Sequence, residues 1–165
     1  MTDQNLELST TRYIDAPPEV VYRVWTERTA EWFAPKPWKT RVIAQELRPG
    51  GRSAIEMQGP DGSAHPEEGV FLEVVPNERI VTTNLFAAGW EPRTTKASEC
   101  DFAMVAITTF EPEGNGTRYT ARARHFDAEA VRQHKEMGFE QGWGMVADQL
   151  AALVEADAAG AQRAA

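Results

Sequence analysis

The stretch FEQGWGMVADQLAAL, residues 139–153, carries its large apolar side chains at spacings of 4, 3, 4 and 3 residues. These residues are Phe139, Trp143, Val146, Leu150 and Leu153. The spacing places them on one face of an α-helix, which predicts that this face packs on another layer of structure. Upstream, Asp127 is a suitable N-cap and Glu129 suits the first turn. We therefore predict one helix from 127 to about 155, about 40 Å long and able to cross a whole sheet.

Before this helix, the apolar pattern consists of short runs rich in β-branched and aromatic residues. They predict seven strands, at 6–14, 41–47, 51–57, 69–75, 79–86, 102–110 and 117–125. Turn sequences such as Arg48-Pro49-Gly50-Gly51 and Gly114-Asn115-Gly116 separate several of them. Because connections this short leave no room for crossover helices, we predict an antiparallel sheet.

Two short helices are predicted after the first strand. Residues 17–19, Pro-Pro-Glu, suit a helix start, and a second short helix over 27–33 is ended by Pro35 and Pro37. A seven-stranded sheet with both faces in water could not bury the aromatic residues, so the long helix must lie across one face. The prediction is a single α+β domain over 1–165, with its core at about 6–155 and a frayed Ala-rich tail at 156–165.

Composition and charge narrow the class of protein. Of 165 residues, 42% are hydrophobic, and 17 basic against 25 acidic side chains give a net charge of −8. This acidity argues against a nucleic-acid partner and against an anionic membrane surface. No apolar run approaches the roughly 20 residues of a membrane-spanning helix. The single cysteine, Cys100, fits a reducing cytoplasm, and the first residues lack the pattern of a secretion signal.

Motifs that hold common metals and cofactors are absent from the sequence. It contains no Gly-x-Gly-x-x-Gly, phosphate-loop, His-Glu-x-x-His, Cys-x-x-Cys or Gly-x-Ser-x-Gly motif. His125 and His134 are separated by a strand-to-helix junction and do not have a recognised zinc spacing. We therefore expect no metal and no cofactor. Cys100 lacks a nucleophile signature and is interpreted as a small, partly buried thiol.

His125 is the histidine best suited to a site. On the last strand, Tyr119, Ala121 and Ala123 alternate with arginines, so the parity of the strand places His125 on the inner face of the sheet. A structural hydrogen bond to the backbone and a contact with a ligand are both compatible with that position. His134 lies about 140° from Phe139 around one continuous helix, which predicts a solvated or capping residue.

Two carboxylates are candidates to accompany His125. Glu136 extends the apolar stripe backward from Phe139 and is predicted to face the sheet. Glu68 lies on a strand, as do Glu46, Glu56 and Glu73, and strand glutamates mostly face solvent.

Gly138, Gly142 and Gly144 fall within the predicted long helix. Each costs about 1 kcal/mol relative to alanine. Close packing of helix against sheet would offset that cost, as would room for a bound molecule.

The five tryptophans suggest a cavity. Trp32, Trp38 and Trp90 lie on loops or element ends, where packing alone does not require large rings, and Trp143 lies on the helical stripe. We predict that these four converge on a cavity between helix and sheet, covered by the aperiodic segment 87–101, whereas Trp25 belongs to the core. The predicted lining is Trp32, Trp38, Met57, Phe86, Trp90, His125, Phe139 and Trp143.

Several motifs together resemble the START-like (SRPBCC) superfamily. They are IDAPPEVVY at 14–22, WFAP at 32–35, RPGG at 48–51, EGVFLEVVPNERIV at 68–81 and GFEQGW at 138–143. More narrowly, they resemble bacterial proteins similar to the C-terminal domain of the activator of heat-shock-protein-90 ATPase. The resemblance implies a helix-grip fold, a curved antiparallel sheet wrapped round the C-terminal helix with a cavity between them. Members of the superfamily bind lipids, hormones or polyketides, and some are cyclases or hydratases.

Three functions follow as hypotheses. The first is binding of a small, largely hydrophobic molecule in the cavity. The second is a cofactor-independent cyclase, hydratase or hydrolase, with His125 as acid or base oriented by Glu136 or Glu68. The third is an interaction module associated with a chaperone. A homodimer is compatible with the resemblance, and the sequence does not require one.

Overall fold

The computed structural model describes residues 6–93 and 102–164, and within them the chain forms nine strands and four helices. The strands are β1 (Glu7–Ile14), β2 (Lys39–Gln45), β3 (Arg52–Gln58), β4 (Ala64–Val75), β5 (Arg79–Thr83), β6 (Phe86–Ala87), β7 (Glu91–Pro92), β8 (Met104–Glu113) and β9 (Gly116–His125). The helices are α1 (Pro18–Glu27), α2 (Thr29–Trp32), α3 (Ala128–Glu136) and α4 (Phe139–Ala164). None of these helices is both long and apolar enough to cross a membrane.

Seven of the strands form one antiparallel sheet in the order β1-β9-β8-β5-β4-β3-β2, which confirms the predicted sheet. The pairing register shifts between Val42 and Ala44 and again between Phe71 and Glu73. Such bulges bend a strand and increase its twist, so they help the sheet to curve. The short strands β6 and β7 pair separately, within the segment where the sequence showed no periodicity.

The strand predicted over 79–86 is shorter than expected. It ends at Thr83, because the next side chain, Asn84, makes hydrogen bonds that a continuing strand would not allow. Asn84 Nδ2 donates to the carbonyl of Phe102 over 3.1 Å, and Asn84 Oδ1 accepts the backbone N–H of Met104 over 2.9 Å. The amide therefore ties the end of β5 to the start of β8.

The core lies between the sheet and the helices α1 and α4. From α4, Ala147, Leu150 and Val154 are buried, and of these Leu150 belongs to the predicted apolar stripe. They share one cluster with sheet residues such as Phe71 and Phe110. A curved sheet that holds a long C-terminal helix in this way is the helix-grip fold, and the predicted α+β architecture is confirmed.

The prediction of one continuous helix from 127 to about 155 is wrong. Asp127 caps α3 as expected, and its Oδ1 accepts the N–H of Ala130 over 2.8 Å. However, α3 ends at Glu136 and α4 begins at Phe139. Between them Gly138 has a φ of 92°, in the left-handed region that glycine adopts at little cost after a helix. The two helices therefore do not share one axis, and side-chain angles counted along the sequence do not carry across Gly138.

The C-terminal tail also differs from the prediction. Helix α4 continues to Ala164, past the expected end near 155. Asp157 explains part of this extension, because it lies 2.9 Å from Arg23 and 3.3 Å from Arg28. These contacts connect the last turns of α4 to the end of α1.

Candidate functional site

A cavity of about 330 Å³ lies between the sheet and the helices α1, α2 and α4. Side chains from the inner face of the sheet form its floor, among them Met57, Phe71 and Ile80. Trp25, Trp32 and Trp143 form the helical side. Small-molecule sites in proteins typically measure ~300–1,000 Å³ and are mostly apolar, so size and lining both fit a small ligand.

Gly142 lines this cavity from α4, one residue before Trp143. Apart from its chain neighbours and the backbone of its own helix, a Cβ atom added at Gly142 would meet no atom of the described residues within 4 Å. Close packing against the sheet therefore does not explain this glycine. The missing side chain leaves space within the cavity instead.

Three of the five tryptophans line the cavity, which corrects the predicted set. Trp32 and Trp143 line it as predicted, and so does Trp25, which was expected to belong to the core alone. The rings of Trp25 and Trp32 lie 5.6 Å apart, so both helices that follow β1 contribute one indole to the same wall.

Trp38 and Trp90 do not line the cavity, contrary to the prediction. The ring of Trp38 lies 5.1 Å from that of His65, beyond the cavity wall. Trp90 is 54% exposed, with its ring 6.0 Å from Phe86, which likewise lies outside the cavity. Trp90 lies in the turn between β6 and β7, and this position places its ring at the surface and not in the cavity. Residues 94–101 of the predicted cover, including Cys100, lie outside the described residues.

His125 is buried on the inner face of the sheet, as the parity of β9 predicted, but it lies behind the cavity wall. Its Nε2 is 2.8 Å from Nδ1 of His134, and its Nδ1 is 3.0 Å from the carbonyl oxygen of Leu6. His134 itself is 5% exposed and lines the cavity. The two histidines therefore form a series of hydrogen bonds from the backbone of Leu6, just before β1, to the cavity.

This series of hydrogen bonds determines where the ring hydrogens lie when both imidazoles are neutral. A carbonyl oxygen only accepts, so Nδ1 of His125 carries a hydrogen and donates it to Leu6. Nε2 of a neutral His125 then lacks a hydrogen and accepts one from Nδ1 of His134. Consequently Nε2 of His134 has no hydrogen and keeps a free lone pair.

Aromatic rings enclose the histidine pair. The ring of His134 lies 5.0 Å from Phe102, 4.9 Å from Phe139 and 5.7 Å from Trp143. Burial in these surroundings, assisted by the nearby His125, lowers the pKa of His134 to about 4. His134 is therefore neutral near pH 7. Phe139, which was predicted to line the cavity, lies outside it and packs against the rings of His134 and Trp143.

The prediction that His134 is solvated or capping is wrong, and the break at Gly138 explains why. The angle of about 140° assumed one helix through residues 134–139. Because α3 ends before Gly138, its orientation is independent of the stripe on α4. His134 is buried on the side of α3 that packs on β9 and α4, together with Ala130 and Val131. The spacing of these residues, at i, i+1 and i+4, is the signal in the sequence that indicates a buried His134.

The carboxylates predicted to accompany His125 do not reach it. Glu136 was predicted to face the sheet, but its side chain is 63% exposed and paired with Arg132 at 2.6 Å. Glu68 does line the cavity, and its two oxygens accept from Arg52 over 2.7 and 3.1 Å. Glu67, which the sequence analysis missed, also lines the cavity. It pairs in register with Ile55, another lining residue, so strand alternation alone could have placed it there.

Two further features of the site concern protons and metals. Tyr119 lines the cavity, and burial raises its pKa to about 12, so its phenol is neutral. Within 6–93 and 102–164, no group of three or more His, Cys, Asp or Glu side chains could hold a metal ion.

Comparison with known proteins identifies the family. Residues 15–155 match the family described as "Activator of Hsp90 ATPase homolog 1-like protein". The chain belongs to this family. The resemblance to START-like proteins predicted from the sequence is thereby confirmed. No curated protein matches the chain.

Solved structures of similar proteins share the fold. Protein NE0264 from Nitrosomonas europaea is 36% identical, with a TM-score of 0.84 over 95% of this chain and 99% of that one. Protein Ms6760 from Mycobacterium smegmatis is 25% identical, with a TM-score of 0.74 over 93% of each chain. The AHSA1 protein SPO3351 from Silicibacter pomeroyi is 18% identical, with a TM-score of 0.68 over 92% of this chain and 99% of that one, and it shows the fold alone.

Proposed function

We propose that the protein binds a small, largely apolar molecule in the cavity between the sheet and helices α1, α2 and α4. The observation that carries this proposal is Gly142. A helical glycine is less stable than alanine by about 1 kcal/mol, and here the Cβ atom of an alanine would have no described neighbour within 4 Å beyond the adjoining helix backbone. The chain thus retains an unfavourable residue at the point where a side chain would occupy the cavity.

The chemistry of the wall supports an apolar ligand. Tryptophan rings, Met57, Phe71 and Ile80 supply most of the surface, and apolar area removed from water contributes roughly 25 cal/mol per Å². Thr82, Asn84 and Thr108 add a few polar groups along the sheet. The Asn84 amide is already occupied by its hydrogen bonds to Phe102 and Met104. Such a wall orients a ligand with few hydrogen bonds and binds it mainly by burial.

Calorimetric titration with uncharged aromatic compounds tests the proposal. We expect 2-methoxynaphthalene or biphenyl to bind at one site per chain, with a negative heat-capacity change that marks apolar burial. Absence of saturable binding for two-ring compounds, together with an unchanged melting temperature in their presence, would contradict the proposal.

The enzyme hypothesis based on His125 has less support. His125 does not line the cavity, and neither Glu136 nor Glu68 is among its hydrogen-bond partners in the described residues. Association with a chaperone, which the family's description suggests, stays a prediction. A homodimer and a cytoplasmic location are likewise predictions from the sequence.

A further inference from the structure

We infer that Nε2 of His134 is the polar anchor of the cavity and that the ligand is an apolar molecule carrying a hydroxyl group, which donates its hydrogen to that nitrogen. This inference rests on the proposed function and specifies the class of ligand. It starts from the hydrogen-bond chain that runs from Leu6 through His125 to His134.

The carbonyl group of Leu6 determines which nitrogen donates in each of these two hydrogen bonds. The Leu6 carbonyl accepts from Nδ1 of His125, so a neutral His125 offers only an acceptor at Nε2, and a neutral His134 donates to it from Nδ1. The two nitrogens of an imidazole point to opposite sides of the ring. Because Nδ1 of His134 is bonded to His125, which does not line the cavity, we place Nε2 toward the cavity that His134 lines.

The lone pair of Nε2 is unused. Among the described residues, no donor forms a hydrogen bond to Nε2 of His134, and the side chain is 5% exposed. Nε2 of His134 is not fully enclosed by the protein, so a ligand in the cavity can reach this nitrogen and donate a hydrogen to it. In the described residues none of the surrounding rings of Phe102, Phe139 and Trp143 donates a hydrogen bond to His134, so a ligand in the cavity can supply the donor.

Several charged groups lie near His134 and the cavity, and most of them form ion pairs within the protein. Glu129 and Glu136 on α3 are exposed and paired with Arg132 on the outer side of that helix. On β9, Arg124 pairs with Glu7. From the sheet, Glu67 and Glu68 also line the cavity, and Glu68 is paired with Arg52. A phenol or alcohol satisfies His134 without introducing a charge among the aromatic rings.

Two probes test this inference, one with a hydroxyl hydrogen to donate and one in which a methyl group replaces that hydrogen. The compounds are 2-naphthol and its methyl ether, 2-methoxynaphthalene, titrated into the full chain by calorimetry. We expect the wild type to bind the naphthol about three- to tenfold more tightly, the effect of one net hydrogen bond. The variant His134→Phe should bind both compounds equally, whereas the control His65→Phe, at a histidine outside the cavity, should keep the preference.

Each outcome separates the two proposals. Equal affinity of the wild type for both compounds would overturn the role of His134 and leave the binding function intact. Binding of neither compound would overturn both. If His134→Phe does not fold, the ¹⁵N chemical shifts of the wild-type imidazoles decide the assignment. They should show Nδ1 of both rings protonated and Nε2 of both rings unprotonated, and a hydrogen on Nε2 of His134 would overturn the inference.

Discussion

Nδ1 of His134 lies 2.8 Å from Nε2 of His125, and this contact joins β9, which carries His125, to the wall of the cavity. The rings belong to different elements, β9 and α3, and both are at least 94% buried. The contact allows His134 to be a neutral acceptor in an apolar environment, because its only donor is directed toward His125. Stability and ligand preference should therefore both depend on this pair.

A double-mutant cycle measures how much the pair contributes. Either His125→Phe or His134→Phe leaves one buried imidazole group without its partner, which should cost about 1–3 kcal/mol. Replacing both removes donor and acceptor together. The loss of stability in the double variant should therefore be about 1 kcal/mol smaller than the sum of the losses in the two single variants. Chemical denaturation provides the four free energies of unfolding. Additive effects would show that the two rings do not interact.

The stability of the protein should decline with acid in a window set by His134. Its pKa is lowered from 6.5 to about 4, so between these values the unfolded chain binds a proton that the native protein does not. The free energy of unfolding should therefore fall as pH falls from about 6.5 to 4, with His134 contributing up to about 3 kcal/mol.

The comparison of variants isolates this contribution. His134→Phe should flatten the stability curve between pH 6.5 and 4.5, whereas His65→Phe should keep the wild-type slope. Carboxylates such as Glu31, whose pKa is lowered by the side-chain hydrogen bond to Arg28, affect stability at still lower pH. Parallel curves for wild type and His134→Phe would rule out a depressed pKa for His134.

Filling the cavity from α4 should separate binding from stability. Gly142→Leu places a side chain into the open space beside Trp143, so we expect affinity for 2-methoxynaphthalene to fall at least tenfold. Stability should stay the same or rise by up to about 1 kcal/mol, because leucine favours the helix. Gly160→Leu is the matched control on the same helix, since a Cβ there also meets no atom within 4 Å. A variant Gly142→Leu that binds as well as the wild type would show that the ligand lies elsewhere.

The break between α3 and α4 should depend on Gly138. Its φ of 92° is unfavourable for other residues, so Gly138→Ala should destabilise the protein by about 1–2 kcal/mol. Gly142→Ala, at a glycine with ordinary helical backbone, should not destabilise it. Thermal unfolding of the two variants checks this difference. Equal melting temperatures would mean that the break does not require glycine.

The sequence predicted the sheet and the position of His125 well, because strand alternation is a local property. Tyr119, Ala121 and Ala123 determine which side of β9 faces inward, and His125 follows their parity. The apolar stripe of α4 was predicted in part, since Phe139 and Leu150 are buried, whereas Val154 is buried in place of the predicted Leu153.

Several features of the site could not be predicted from the periodicity of the sequence. The spacing of His134 to Ala130 and Val131 indicates its burial, but a helix extrapolated across the break at Gly138 gave the wrong face. Trp38 and Trp90 lie outside the cavity because loops set their positions, and composition only showed that large rings were present. Trp25 was assigned to the core by its helical spacing, yet a residue at the edge of a core can also form a cavity wall.

The indole N–H signals of the five tryptophans provide the most direct test of the central claim, binding in this cavity. In a ¹H–¹⁵N NMR titration with 2-methoxynaphthalene, the signals of Trp25, Trp32 and Trp143 should shift with one common dissociation constant. Those of Trp38 and Trp90, assigned with Trp38→Phe and Trp90→Phe, should not move. Shifts confined to Trp38 or Trp90, or no saturable shift at all, would contradict the account.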